Sequence, residues 1–225
     1  MKKVFDPTFG RAVISSPLGV LFQLTLFCLL LIFLSYFRSS NITYFFLARN
    51  LFLAWVPLIF AVIWANRLRY GSLKIWKTVV LFCLWLLFFP NAPYLITDLV
   101  HLNNRFNPAI WADTLQLFSC AFTGLILGIY SLHIVHRSLS SRMNSMSSWS
   151  IIVASLVLSG FGIYLGRVQR WNSWDLFTNP IALLVDSVEQ FTNPQALKMT
   201  LSFSVLLFIT YFMLKTIIRH ERIGR

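Results

Sequence analysis

The sequence predicts an all-α fold: a polytopic transmembrane helical bundle of about six spans, forming a single integral membrane domain over residues 1–225. The first observation is composition, since 57% of the residues are hydrophobic and only 12% are charged, about half the charged share of a globular protein. The second is that the apolar residues fall in six runs, each near the length of about 20 residues that crosses a bilayer. A soluble chain of this size could not bury so much apolar surface. Three cysteines also exclude a secreted disulfide framework.

The predicted spans lie near residues 18–37, 44–65, 75–96, 110–135, 149–168 and 199–218. The first follows Lys2, Lys3 and Arg11, as the apolar core of a signal peptide would. Its apolar run is too long for that role, however, and no small-residue cleavage motif follows it. We therefore interpret it as an uncleaved anchor.

Basic residues predict the orientation of the bundle. Six spans place both termini on one side, and 13 of the 19 lysines and arginines fall on that side. The opposite side holds Arg38, Arg105, Arg167, Arg170 and Lys198, and Arg49 lies within a span. This positive-inside bias predicts that both termini are cytoplasmic. The net charge of +12 is thus explained by topology, and we expect the lipid bilayer rather than a nucleic acid as partner.

Acidic residues are distributed the other way. Only Asp6 and Glu221 fall on the predicted cytoplasmic side, whereas the outer side carries Asp98, Asp113, Asp175, Asp186 and Glu189. Carboxylates contribute little to topology, so insertion does not require this arrangement. The outer face, where both signs of charge gather, is therefore the place to look for a functional site.

The third predicted span is interrupted by Pro90-Asn91-Ala92-Pro93-Tyr94. Its unbroken apolar part, residues 79–89, would form about 16 Å of helix, too short to cross alone. In a continuing helix the prolines would free the carbonyls of Leu86 and Phe89. Two interpretations stay open: a broken helix that lines a binding site, or a kink whose carbonyls are satisfied by neighbouring helices.

Asp98 and His101 follow this segment at i and i+3, so a continuing helix would place them on one face. With Asp113, at the outer start of the fourth span, they are weak candidates for cation ligands. Such a pair arises easily by chance, and ion pairing with the outer arginines explains the carboxylates more simply. The sequence therefore predicts no metal and no cofactor.

Arginines, amides and tryptophans complete a candidate outward-facing polar site. Arginine forks suit phosphates and carboxylates, while tryptophans at this boundary fit either a headgroup belt or a ligand platform. Arg49 could instead extend to the headgroups without a ligand role. The candidate residues are Arg49, Asn50, Asn91, Tyr94, Asp98, His101, Asp113, Arg167, Arg170, Trp171, Asn172, Trp174 and Asp175.

Two stripes of small residues predict close helix packing, one with Gly124 and Gly128 and the other with Gly162 and Gly166. If the two stripes meet, Asp113 would lie beside the end of the fifth span. The sequence then predicts a salt bridge from Asp113 to Arg167 or Arg170.

The connection after the fifth span contains a near-repeat, FTNPIAL at 177–183 and FTNPQAL at 191–197. Asn followed by Pro suits the N-cap and first position of a helix. A short amphipathic helix is predicted near 180–190, with an apolar stripe of Ile181, Leu184, Val185 and Val188. We expect it to lie in the outer membrane interface.

Three strings carry a family resemblance: RNLFLAWVPL at 49–58, FFPNAPYLITDLVHL at 88–102 and SGFGIYLGRVQRWNSWDLFTNP at 159–180. On these strings, residues 45–190 resemble a bacterial family of multi-pass membrane proteins, catalogued as domain of unknown function 1361. The resemblance implies location in the plasma membrane of a bacterium. It implies no activity.

Three functions remain open. The favoured one is an outward-facing site that binds or transports an anionic lipid or small molecule. The second is a membrane enzyme acting on a lipid-linked phosphate at the outer leaflet, although no P-loop, nucleophile elbow, zincin or dithiol motif is present. The third is a non-catalytic subunit or assembly factor with a membrane protein partner.

Overall fold

The computed structural model describes residues 16–39, 44–70, 75–102 and 110–223. Within these ranges the secondary structure is helical and contains no strand. Several charged residues used above to predict the orientation lie outside this description: Lys2, Lys3, Asp6, Arg11, Lys74, Arg105 and Arg225, together with the side chains of Arg38, Arg69, Glu221 and Arg222.

The helices, in chain order, are α1 (Pro17–Ser39), α2 (Phe45–Tyr70), α3 (Ile75–Phe88), α4 (Asn91–Tyr94), a 3₁₀ helix (Leu95–Leu102), α5 (Ile110–Ser140), α6 (Ser145–Arg167), α7 (Asp175–Thr178), α8 (Pro180–Gln190) and α9 (Pro194–Ile223). By length and apolar composition, six helical stretches in the described ranges can cross a membrane: Pro17–Phe37, Phe45–Leu68, Ile75–Leu102, Ile110–Ser140, Ser145–Arg167 and Pro194–His220. The predicted all-α fold and its six spans are confirmed.

Helix α5 is the centre of the bundle, because 61% of its most apolar window is buried, more than in any other described span. Its buried side chains join two apolar clusters. Leu117 and Leu127 pack with α1 and α2 residues, while Ile129 and Leu132 pack with Trp64 and others. Large apolar side chains elsewhere point outward, as expected where lipid is the solvent. The stripe of small residues on α5 therefore faces protein.

The third span is kinked into three consecutive helical pieces. Helix α3 ends at Phe88, but the N–H of Ala92 bonds the carbonyl of Phe89 at 3.2 Å, and the N–H of Tyr94 bonds that of Pro90 at 3.0 Å. The carbonyl of Phe89, predicted to be free, is thus occupied within the chain. The prediction that Phe89 offers a free carbonyl to a ligand is therefore wrong, because a protein group satisfies it.

Both stripes of small residues pack against this kinked segment, one from each side. A Cβ atom on Gly124 would overlap the carbonyl oxygen of Ala92 and the side chain of Leu95. A Cβ atom on Gly162 would come within 2.8 Å of Pro90. The absence of side chains at these two positions lets the proline segment lie between α5 and α6. The predicted close packing is therefore present, but with a different partner.

The near-repeat begins two helices, as predicted. Asn193 caps α9, since its side-chain oxygen accepts the N–H of Gln195 at 2.9 Å. Asn179 precedes Pro180, the first residue of α8, but makes no side-chain capping bond. The predicted helix near 180–190 is confirmed as Pro180–Gln190, and it connects the end of α6 to α9.

Candidate functional site

One end of the bundle contains a cavity of about 270 Å³. Its walls come from the start of α2, the kinked third span, the end of α6, the loop after α6, and α8. The lining residues are Phe46, Arg49, Asn50, Leu53, Leu87, Pro90, Asn91, Tyr94, Asp98, His101, Gly162, Leu165, Gly166, Arg167, Trp171, Asn172, Ser173 and Leu183. Because polar side chains from four separate segments converge here, we treat this cavity as the candidate site and call its end of the bundle the cavity end.

Asp98 is the most deeply buried charged group of the cavity, with a side chain only 1% exposed. Its Oδ1 atom lies 3.1 Å from Nη1 of Arg167, and its Oδ2 atom accepts the amide of Asn50 at 3.0 Å. Burial of a carboxylate is tolerable when it is paired and hydrogen-bonded. Both of its oxygens are therefore engaged with protein groups that come from α2 and α6.

His101 completes this network. Its Nε2 atom lies 3.4 Å from Nη2 of Arg167, and its ring is 5.1 Å from the ring of Phe46. In a 3₁₀ helix, residues three apart lie directly above each other, so Asp98 and His101 face Arg167 together. The predicted shared face of these two residues is thus observed. With Arg167 donating, Nε2 of His101 acts as the acceptor.

Arg49 enters the same cavity from α2 but is held differently. Its guanidinium lies 5.8 Å from the centre of the Trp174 ring, a cation–π contact. In the part of the chain that the structure describes, no carboxylate lies within ion-pair distance of Arg49. The cavity thus carries two guanidinium groups against one carboxylate.

The loop after α6 closes one wall of the cavity through hydrogen bonds to the kinked span. The hydroxyl of Ser173 donates to the carbonyl of Leu87 at 3.1 Å and accepts the Asn91 amide at 2.9 Å. The Asn91 amide also bonds the carbonyl of Phe88 at 3.0 Å. These bonds satisfy backbone groups where the helix ends, and they fix the loop. Sequence reasoning missed Ser173, because a single neutral serine carries no pattern.

Two further contacts fix α8 beside the cavity. The indole N–H of Trp171 donates to Asp186, and the hydroxyl of Tyr164 donates to Gln190 at 2.7 Å. Asn193 in turn donates to Tyr164 at 3.1 Å. Sequence reasoning also missed Tyr164, whose hydroxyl joins α6 to both α8 and α9.

Most of the predicted site residues line the cavity: Arg49, Asn50, Asn91, Tyr94, Asp98, His101, Arg167, Trp171 and Asn172. Two others support it from outside. Trp174 contacts Arg49 at the rim, and Asp175 accepts the backbone N–H of Asn172 at 2.7 Å.

Asp113 and Arg170 are not among the lining residues. Asp113 is buried in the first turn of α5, and the ion pair of Arg167 is with Asp98, so the predicted bridge from Asp113 to Arg167 is wrong. The reason is that the kinked segment separates the two stripes of small residues. Arg170 is exposed and has a φ of 64°, and no described carboxylate pairs with it.

Asp98, His101 and Asp113, the weak metal candidates, do not converge on one point, since only the first two line the cavity. Within the described ranges, no group of three or more His, Cys, Asp or Glu side chains is arranged to hold a metal. The cation nearest to Asp98 is instead the guanidinium of Arg167. What this arrangement offers chemically is hydrogen-bond donors and positive charge.

The family comparison covers this region. The model for "Protein of unknown function (DUF1361)" matches residues 49–210, which include every lining residue except Phe46. No match to the chain was found among curated proteins or among solved structures. The matched region spans five of the six membrane-crossing stretches in whole or in large part. The chain belongs to the DUF1361 family of proteins of unknown function.

Proposed function

We propose that this membrane protein binds an anionic ligand in the cavity at the end of α6. The observation that carries the proposal is the excess of positive charge there. Arg49 and Arg167 both line the cavity, and Asp98 is the one carboxylate among the lining residues. Because both oxygens of Asp98 are already engaged, the charged groups of the cavity that remain available to a ligand are cationic.

Arg167 is oriented before any ligand arrives. Asp98 and His101 hold one N–H of each terminal nitrogen, and a guanidinium has five N–H donors in a planar fork. The remaining donors are available to a phosphate or carboxylate, which such a fork recognises in bidentate fashion. Arg49 adds a second cation whose contact with Trp174 leaves its own donors unpaired by any described carboxylate.

The volume of the cavity bears on the size of the ligand. Pockets for drug-sized molecules hold about 300–1,000 Å³, and this cavity of about 270 Å³ lies just below that range. A single phosphate- or carboxylate-bearing group fits this size better than an extended molecule does. Binding of a small anion, or of the headgroup of a larger one, therefore suits the site.

The distribution of basic residues supports an outward-facing cavity. Of the 19 lysines and arginines, 13 fall on the predicted side of the termini, whereas the connections predicted on the other side hold Arg38, Arg105, Arg167, Arg170 and Lys198, of which Arg167 lines the cavity. By the positive-inside rule the termini are cytoplasmic and the cavity opens on the outer face. We propose the plasma membrane of a bacterium as its location. Reporter fusions to the C-terminus test the orientation. If the C-terminus is cytoplasmic, alkaline phosphatase fused there should be inactive and green fluorescent protein should be fluorescent.

Native mass spectrometry of the detergent-purified protein tests the binding proposal. Arg49→Gln is the best variant because it leaves the Asp98–Arg167 pair in place. We expect an anionic species to co-purify with the wild type, and its occupancy to fall about tenfold or more in Arg49→Gln, since each charge-assisted bond contributes about 1.5–3 kcal/mol. The matched control is Arg142→Gln, an exposed arginine near the start of α6. If all three proteins carry the same amount of the anionic species, or if none of them carries it, an anion site at Arg49 is refuted.

The enzyme alternative receives less support from the geometry. A catalytic acid or base must reach a substrate proton, whereas Asp98 is 1% exposed and bonded at both oxygens. We therefore favour binding over catalysis. The structural alternative, in which the Asp98–Arg167 pair serves only to hold helices together, is separated from binding by the reversed pair Asp98→Arg with Arg167→Asp.

A further inference from the structure

Helix α8 presents its apolar stripe away from the protein. Ile181, Leu184, Val185 and Val188 are between 54% and 76% exposed. The opposite face carries Asp186 and Gln190, which bond Trp171 and Tyr164. A surface helix of a soluble protein buries its apolar stripe and exposes its polar face. The reversed arrangement of α8 is that of a helix whose outer neighbour is apolar.

The same helix forms part of the cavity wall. Leu183 of α8 lines the cavity, and so does Trp171, whose indole is fixed by Asp186. The exposed apolar stripe and the cationic cavity therefore lie on two sides of one short helix. A ligand that reaches past α8 would contact both.

The depth of the site matches the headgroup region of a bilayer. Arg167 lies 22 residues after Ser145 on the continuous helix α6, a rise of about 33 Å. The hydrocarbon core is about 30 Å thick. If α6 enters the core near Ser145, Arg167 stands where lipid phosphates are. Leu87, the deepest lining residue of the third span, is 12 residues after Ile75 on α3, or about 18 Å along the helix.

From these three observations we infer that the anionic ligand is the phosphate-bearing headgroup of a membrane lipid. This inference rests on the proposed function and adds the class of ligand. Arg49 and Arg167 hold the phosphate, and the acyl chains extend past α8 along Leu184 and Val188. An amphipathic helix with an exposed apolar stripe lies in the membrane interface and buries that stripe at the boundary between headgroups and acyl chains. Because α8 borders the cavity, this boundary lies at the rim of the cavity. A water-soluble anion has no acyl chain and would gain no binding free energy from contact with the apolar stripe of α8.

The test compares three probes on delipidated protein in detergent: phosphatidylglycerol, phosphatidylcholine and glycerol 3-phosphate. Binding is followed by native mass spectrometry and by the shift in Tm. Three variants are measured beside the wild type. Arg49→Gln removes a cation, Leu184→Ser with Val188→Ser removes the stripe at exposed positions, and Met146→Ser is the control, an apolar side chain 82% exposed at the start of α6.

The inference predicts that phosphatidylglycerol binds at least about tenfold more tightly than the other two probes. It also predicts that this binding weakens about tenfold in Arg49→Gln, weakens severalfold in the stripe variant, and is unchanged in Met146→Ser. If glycerol 3-phosphate binds as tightly as the lipid and the stripe variant is unaffected, the lipid inference is overturned while the anion site stands. If no probe shows Arg49-dependent binding, the anion site itself fails. Lipid retained equally by every variant is annular lipid, and it overturns the inference as well.

Discussion

Arg167 and Asp98 lie 3.1 Å apart, although they are 69 positions apart in the chain. Their pairing joins the end of α6 to the 3₁₀ helix of the third span. The side chain of Asp98 is 1% exposed and that of Arg167 is 22% exposed. Removing one partner of a buried pair leaves a charge without compensation, which costs about 3–5 kcal/mol. Water reaches Arg167, so a cost near the lower end applies here.

Asp98→Asn should therefore lower stability by about 3 kcal/mol, or Tm by roughly 6–12 °C for a chain of this length. The double variant Asp98→Asn with Arg167→Gln should lose less than the sum of the two single losses, because neither charge is then left unpaired. Thermal unfolding in detergent measures both quantities. Strictly additive losses would show that the two residues are not energetically coupled.

The reversed pair, Asp98→Arg with Arg167→Asp, separates a structural role from a binding role. If the pair only holds helices together, the reversal should recover both Tm and function. We expect partial recovery of Tm without recovery of anion binding, because the cation would then project from the buried position 98. Recovery of binding to the wild-type level would contradict the proposed role of Arg167.

The sequence predicts the spans and α8 because these depend on local patterns. Six apolar runs of sufficient length specify six helices, and Asn-Pro followed by an apolar stripe specifies α8. Asp98 and His101 share a face because they are three residues apart. Such features need no knowledge of which helix packs against which.

The partners of the small-residue stripes could not be predicted in this way. Gly124 and Gly162 indicate where a close approach is possible, but not what makes it. In the structure the kinked segment packs against both glycines, with Ala92 next to Gly124 and Pro90 next to Gly162. For that reason Arg167 meets Asp98, which follows the kink, and not Asp113. The sequence favoured Asp113 as the partner, and tertiary packing selected Asp98 instead.

Gly124→Ala should destabilise the bundle through this packing. The added methyl group would overlap the backbone oxygen of Ala92, which cannot move without shifting the kinked segment. Overpacking of this kind costs about 1–3 kcal/mol. Gly166→Ala is the matched control, since its Cβ would lie 3.3 Å from the Tyr94 ring, and a ring can rotate away. We expect a lower Tm for Gly124→Ala alone, and equal Tm values would refute the packing argument.

Ser173→Ala should loosen the loop that closes the cavity. The substitution removes a donor to Leu87 and an acceptor for Asn91, and unmade hydrogen bonds of partly buried groups cost about 1–3 kcal/mol. Ser150→Ala is the control, because the hydroxyl of Ser150 is exposed and bonds only its own helix at Met146. Hydrogen exchange of residues 171–174 should accelerate in Ser173→Ala and remain unchanged in Ser150→Ala. Equal exchange in both variants would show that Ser173 does not fix the loop.

A substitution at Arg170 should raise the stability of the protein, in contrast to the substitutions above. Arg170 lies three residues beyond the end of α6 and has a φ of 64°, and the next N–H, that of Trp171, bonds the carbonyl of Leu165 at 3.1 Å. Glycine adopts this left-handed conformation without the steric cost that a side chain brings. The left-handed conformation costs a non-glycine residue about 1–2 kcal/mol, and part of that is offset because glycine loses about 0.5–1 kcal/mol more entropy on folding. Arg170→Gly should therefore stabilise the protein by about 0.5–1 kcal/mol.

The same substitution tests whether Arg170 belongs to the anion site. Its side chain is exposed and does not line the cavity, so anion binding should be unchanged in Arg170→Gly while Tm rises by roughly 1–4 °C. Arg170→Ala separates the two effects, since it removes the guanidinium but keeps the unfavourable backbone conformation, and its Tm should not rise. A loss of binding in both variants would place Arg170 in the site, and would mean that the left-handed backbone at residue 170 serves to aim a third guanidinium at the ligand.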